Sequence, residues 1–122
     1  MKLVIEEPES AALERHLEDR PPLATSRIAL VEVARATGLA NPSTGVQQGV
    51  NRLLASCMLI DVTDRLLRSA ASLASAAVRT LDAIHLASAL RIEADELVAY
   101  DRRLLAAAAD NGIAVSHPGA PL

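Results

Sequence analysis

Aromatic side chains are almost missing from this sequence: Tyr100 stands alone, with no Phe and no Trp. The core must therefore be built from Leu, Val, Ile and Ala, which are plentiful, since 51% of the 122 residues are hydrophobic. A chain of this length is expected to form one domain, residues 1–122, and to bury about two-thirds of its unfolded surface. Cysteine is nearly absent too. With Cys57 alone, no intrachain disulfide and no Cys-based zinc site is possible, and Cys57 itself is expected in the core. No apolar run approaches the roughly 18 residues of a membrane span. The stretch from Met1 to Ile5 is too short for a secretory signal, and Glu6 and Glu7 interrupt it. The expected location is cytoplasmic, with no membrane partner.

Positive charge is also in short supply. The formal net charge of −3 argues against holding nucleic acid on a broad basic surface. It leaves room for an enzyme that holds RNA through metal ions and a few arginines. Lys2 is the only lysine, and the other basic residues are Arg. Arg suits bidentate phosphate contacts, although a GC-rich coding bias gives the same ratio. The five glycines fit neither the dinucleotide fingerprint nor the P-loop.

What is present is an alternation of helical stripes and short apolar runs. Pro8 and Glu9 suit a first helical turn, with Leu13 and Leu17 one turn apart, and Pro21 ends that helix near Arg20. Leu23 to Thr25 reads as extended. Ser26 is placed to cap a helix from Arg27 to about Thr37. After the loop signal Asn41-Pro42-Ser43, Thr44 and Gln47 have capping-box spacing. Val46, Val50, Leu53 and Leu54 then form a helical stripe. The run from Cys57 to Val62 fits a buried strand. Thr63 caps a helix buried through Leu66, Ala70, Leu73 and Ala77, and Thr80 caps another, about Leu81 to Ile92. Glu96 to Tyr100 reads as a strand and Asp101 opens a helix that Gly112 closes. Ile113 to Val115 is a last short strand, and the tail after about residue 116 is expected to be loose. The alternation predicts an α/β fold, a parallel sheet covered by helices on both faces with right-handed crossovers. Ligands of such sheets bind beyond the carboxyl ends of the strands.

Three acids interrupt the apolar text. Glu32 sits in Ile-Ala-Leu-Val-Glu-Val-Ala, Asp82 in Leu-Asp-Ala-Ile-His-Leu-Ala, and Asp101 ends Leu-Val-Ala-Tyr-Asp. A carboxylate facing such surroundings is costly to desolvate unless something pairs with it. A divalent cation is one solution, because Mg²⁺ takes oxygen ligands and needs only a few carboxylates. Each acid also has an ordinary structural explanation. Asp101 can cap a helix, Asp82 can complement a helix dipole, and Glu32 can point to solvent.

The text around these acids narrows the choice. Lys-Leu-Val-Ile-Glu-Glu-Pro-Glu-Ser at the start, Thr25-Ser26 followed by Glu32, Thr-Leu-Asp-Ala-Ile-His-Leu-Ala-Ser-Ala (80–89) and Val-Ala-Tyr-Asp-Arg-Arg-Leu (98–104) resemble the PIN-domain toxins of VapC type. The resemblance runs from Lys2 to about Val115 in the family's order, and the segment around Asp82 is its most specific part. It implies a three-layer PIN-like domain and a ribonuclease dependent on Mg²⁺ or Mn²⁺, acting on single-stranded or looped RNA as the toxin of a toxin–antitoxin pair. Glu32, Asp82 and Asp101 would be the metal ligands and catalytic acids, and the metal would activate water against the phosphodiester. A homodimer and a cognate antitoxin, with a segment inserted into the active site, are the implied protein partners.

At one place the chain departs from the family's pattern. The family begins with an apolar strand ending in an Asp, normally a primary ligand on a central strand, whereas this sequence starts Met-Lys-Leu. A start codon assigned too late would account for this. An in-frame stop just upstream of Met1 would instead predict a remnant of little nuclease activity that still dimerises or binds an antitoxin. Four further residues are candidate substrate contacts: Ser26, His85, Arg102 and Arg103. His85 shares a helical face with Asp82, and the two arginines follow Asp101, where they can reach phosphates. Each also reads as structure: a helix cap, a half-buried helical His and a solvated helix face. His16 and His117 carry no pattern.

Overall fold

A computed structural model of the chain describes residues 9–18, 22–40, 44–73 and 78–121. The chain divides into two compact units, Met1–Ile60 and Asp61–Leu122.

In the first unit, α1 (Ser10–Leu17) is amphipathic and buries Leu13. Its expected end near Arg20 falls outside the described residues; the helix stops at Leu17, where Glu18 turns extended. Strand β1 (Ala24–Ser26) runs parallel to β2 (Met58–Ile60), with Ala24, Thr25 and Ser26 opposite Met58, Leu59 and Ile60. The ladder continues at both ends: Met58 N–H donates to Leu23 O at 2.9 Å and Arg27 N–H to Ile60 O at 2.9 Å. Between the strands lie α2 (Ala29–Ala40) and α3 (Thr44–Ala55), packed on each other. Val50 is the buried point of the α3 stripe, while Leu53 and Leu54 are half-buried; the Val46 side chain and the Asn41–Ser43 loop lie outside the described residues. The fully buried Thr37 hydroxyl donates to Val33 O at 2.8 Å, which removes the cost of burying it mid-helix.

Four sequence expectations shift here. Helix α2 begins at Ala29 rather than Arg27 and runs past Thr37 to Ala40. Ser26 finishes the strand, and Arg27 and Ile28 form a turn before the helix. The strand expected over 57–62 is confined to Met58–Ile60, and Met58 is 54% exposed. Cys57 is half-buried rather than core, and its Sγ lies 3.4 Å from Leu53 O.

The second unit opens with α4 (Asp64–Ala71), capped as its sequence predicts: the Thr63 hydroxyl accepts from Leu66 N–H at 3.2 Å. Leu66 and Ala70 are its buried face and Leu73 follows half-buried; Ala77 lies outside the described residues. Helix α5 (Thr80–Arg91) packs on α4, and α6 (Arg102–Asp110) packs on α5. Thr80 is the first helical residue rather than the cap; Arg79 occupies that position and makes no side-chain capping bond. Strands β3 (Glu96–Val98) and β4 (Ala114–Ser116) are parallel, with Glu96, Leu97 and Val98 opposite Ala114, Val115 and Ser116.

Leu86, Leu104, Ala107, Ala108 and Ile113 form the buried cluster of this unit. The small Ala107 and Ala108 let α6 approach closely, and both are essentially inaccessible. Gly112 adopts φ +82°, so a side chain there is strained, and the exit from α6 is a Schellman motif. Ile113 N–H donates to Ala108 O and Gly112 N–H to Ala109 O, both at 3.0 Å. The segment after Ser116, expected to be loose, makes three hydrogen bonds. Tyr100 OH donates to Pro118 O at 2.7 Å, Ala120 N–H donates to His117 O at 3.0 Å, and His117 Nδ1 lies 2.7 Å from Ala120 O. Among the described residues the strands form these two parallel pairs, and no helix is long and apolar enough to cross a membrane.

Candidate active site

Asp101 sits where β3 leads into α6, at a strand's carboxyl end, as parallel architectures place ligand groups. Its extended backbone (φ −83°, ψ 120°) lets the short side chain turn back on the helix. Oδ1 accepts from Arg103 N–H at 2.8 Å and Leu104 N–H at 3.1 Å. Both capping bonds use one oxygen. Among the described residues Oδ2 makes no hydrogen bond, and the side chain is exposed. The capping role and a ligand role are thus compatible, because a carboxylate has about four lone-pair sites.

Asp82 is the third residue of α5, half-buried in its first turn. With α5 packed on α6, Asp82 and Asp101 stand at the N-terminal ends of two packed helices. His85 follows Asp82 by three residues on α5 and is half-buried. Arg102 and Arg103 are exposed in the first turn of α6. In the first unit, Glu32 lies in the first turn of α2, half-buried, and its N–H donates to Ile28 O at 3.0 Å. Ser26 is 1% exposed, and its hydroxyl accepts from Ile28 N–H at 3.3 Å.

The acids are therefore less desolvated than their apolar neighbours in sequence imply. The reason is helical geometry: Leu104 and Leu105 turn inward from α6 while its start stays in solvent. Within neither unit do the described residues gather three His, Cys, Asp or Glu side chains as a metal cluster. A groove of about 390 Å³ runs between α4 and α5, lined by Arg65, Ser69, Leu90 and Arg91 among others. None of the acids lines it. Arg91 lies nine residues beyond Asp82 on α5, roughly 13 Å along the axis.

Sequence reasoning missed Tyr100 and the 117–120 turn. The bond joining them spans 18 residues, and no local pattern announces it. The one available signal was that Tyr100 is the chain's sole aromatic residue.

Comparison with known proteins agrees with this architecture. The PIN domain family model matches residues 1–110, and the chain belongs to that family. Within it the chain is similar to proteins of VapC type. It is 42% identical over 120 residues to Ribonuclease VapC46 of Mycobacterium tuberculosis (strain ATCC 25618 / H37Rv), covering 97% of this chain and 91% of the relative. Ribonuclease VapC47 of Mycobacterium tuberculosis (strain CDC 1551 / Oshkosh) is 33% identical over 128 residues, covering 98% and 91%. Ribonuclease VapC35 of the same strain is 37% identical over 125 residues, covering 98% and 91%. No solved structure matches the chain.

Proposed function

We infer that this protein is a divalent-metal-dependent endoribonuclease, using Mg²⁺ or Mn²⁺, and the toxin of a toxin–antitoxin pair. The observation that carries this reading is Asp101: a strand-end carboxylate with one oxygen committed to the α6 cap and the other open, inside the stretch that matches the PIN domain. The donor chemistry fits a hard cation, since all three candidate ligands, Glu32, Asp82 and Asp101, offer carboxylate oxygens. When bound, the cation lowers the pKa of water and offsets charge on a phosphate. The chain's own contribution is to hold the acids on helix starts, where backbone geometry fixes their position. Arg102 and Arg103, exposed beside Asp101, contact RNA phosphates. His85, one turn from Asp82, is a secondary substrate contact; Ser26, expected as another, is 1% exposed and its hydroxyl serves the turn before α2 instead. The partners of this reading are an RNA, a cognate antitoxin and a second copy of the chain, in the cytoplasm.

The test is cleavage of a structured RNA containing single-stranded loops. Cleavage is expected with Mg²⁺ or Mn²⁺, is abolished by EDTA, and falls more than about 100-fold in Asp82→Asn, since even groups that only support metal ligands are worth 10–100-fold. Cleavage that survives EDTA, or is unchanged in Asp82→Asn, sinks the mechanism. Antitoxin binding without cleavage would identify a non-catalytic remnant instead.

A further inference from the structure

The geometry points to Tyr100 as a positioning residue for Asp101, acting through the C-terminal 117–120 turn. The proposal rests on Asp101 being a metal ligand.

Two consecutive residues ahead of Asp101 are tied to the same segment. Ala99 N–H donates to Ser116 O at 3.1 Å, extending the β3–β4 ladder by one step. Tyr100 then reaches past the ladder's end, and its hydroxyl donates to Pro118 O at 2.7 Å. The acceptor is held in place by a closed turn. Ala120 N–H returns to His117 O at 3.0 Å, and His117 Nδ1 lies 2.7 Å from Ala120 O, so that nitrogen carries the proton. Gly119 supplies the left-handed residue the turn needs, at φ +83°.

Asp101 is thus fixed from two directions. Its Oδ1 is tied to the start of α6, and the backbone leading into it is tied to the C-terminal turn. The cap ties the carboxylate to α6, and the Ala99 and Tyr100 bonds tie the approach to it. The Tyr100 bond adds nothing to the cap. Its effect is to hold the junction, and with it Oδ2, in one orientation. A metal ligand benefits from such restraint because the ordering cost is met before binding.

The experiment measures Mn²⁺ affinity of the full chain by calorimetry and electron paramagnetic resonance, with urea stability measured alongside. Tyr100→Phe removes only the hydroxyl. Gly119→Ala strains the same turn and leaves Tyr100 intact. Gly112→Ala is the matched control, with similar backbone strain at the far end of α6. Asp101→Asn tests the underlying reading. Asp101→Asn is expected to abolish binding. Tyr100→Phe and Gly119→Ala each weaken it about 3- to 10-fold, the worth of one neutral hydrogen bond, and the double variant is no weaker than either single one. Gly112→Ala lowers stability and leaves affinity unchanged.

Wild-type affinity in Asp101→Asn overturns the ligand assignment and the brace with it. Loss in Asp101→Asn, with wild-type affinity in Tyr100→Phe and Gly119→Ala, overturns the brace alone. So does an equal weakening in Gly112→Ala, because any strain on α6 would then suffice. Should Tyr100→Phe fail to fold, Gly119→Ala decides by the same criterion.

Discussion

Each unit turns from the first strand of a parallel pair into a helix near one of the candidate acids, and the two junctions are built differently. At β1–α2 a two-residue turn intervenes, a buried Ser26 hydroxyl catches one N–H at 3.3 Å, and Glu32 comes a turn later. At β3–α6 the acid is itself the cap, taking two N–H groups at 2.8 and 3.1 Å. A capping Asp has two short side-chain torsions, already ordered by the backbone. A Glu within the helix carries one more torsion to be ordered. The difference teaches that the second unit presents a pre-set carboxylate, whereas the first presents a longer one whose direction its surroundings must fix.

The comparison is sharpest if the scaffolds under the two junctions differ as well. Leu86 is fully buried among Leu104, Ala107, Ala108 and Ile113. Leu86→Ala is expected to cost about 2–5 kcal/mol. Val50→Ala, at the buried point of α3, removes less apolar volume and should cost about 2 kcal/mol. Urea unfolding of both variants checks the order. An equal or larger loss in Val50→Ala would mean that the first unit is the better-packed platform.

Next in size is Gly112→Ala. A methyl group at this position would meet open space, so the penalty is the left-handed backbone alone, about 1–2 kcal/mol. A neutral outcome in the same urea assay would mean that α6 can end without its Schellman turn, and that the cap at Asp101 holds the helix unaided.

Asp101→Ala follows, at about 1 kcal/mol for loss of the cap. Asp101→Asn should stay within a few tenths of wild type, because Asn caps as well as Asp. Together the pair separates the cap from the charge: Ala removes both, and Asn removes the charge alone. A large loss of stability in Asp101→Asn would show that the charge itself, through the dipole of α6, carries the junction.

How much of this was legible depended on how local the cause was. Thr63, Asp101 and Gly112 were read correctly because caps and C′ glycines act within one turn of chain. Ser26 and Thr80 were misplaced by one or two residues, since a hydroxyl near a helix start also fits the end of a strand or the first helical position. Parallel strands were anticipated, but the register of each described pair was not, because pairing is decided by residues far apart in sequence. For the same reason the Tyr100–Pro118 bond had no signature. The three acids were picked out by their neighbours, yet their exposure was not, because a run of apolar letters does not say which side of the helix each letter faces.

The smallest effect, and the finest test of the comparison, belongs to Ser26→Ala. The hydroxyl makes one long hydrogen bond to Ile28 N–H, against two shorter ones at Asp101. Burial raises the stakes, since Ser26 is 1% exposed and water cannot easily take over the freed N–H. Against that, the β1–β2 ladder continues one residue past Ser26 through Arg27 N–H and Ile60 O at 2.9 Å, so the turn keeps its anchor without the hydroxyl. These terms favour a loss below about 1 kcal/mol, smaller than that of Asp101→Ala. Measured side by side in urea, a Ser26→Ala loss equal to or above the Asp101→Ala loss would reverse the ranking. The buried hydroxyl, rather than the exposed carboxylate, would then be the stronger lock on a strand-to-helix junction, and Glu32 would inherit the better-ordered helix start.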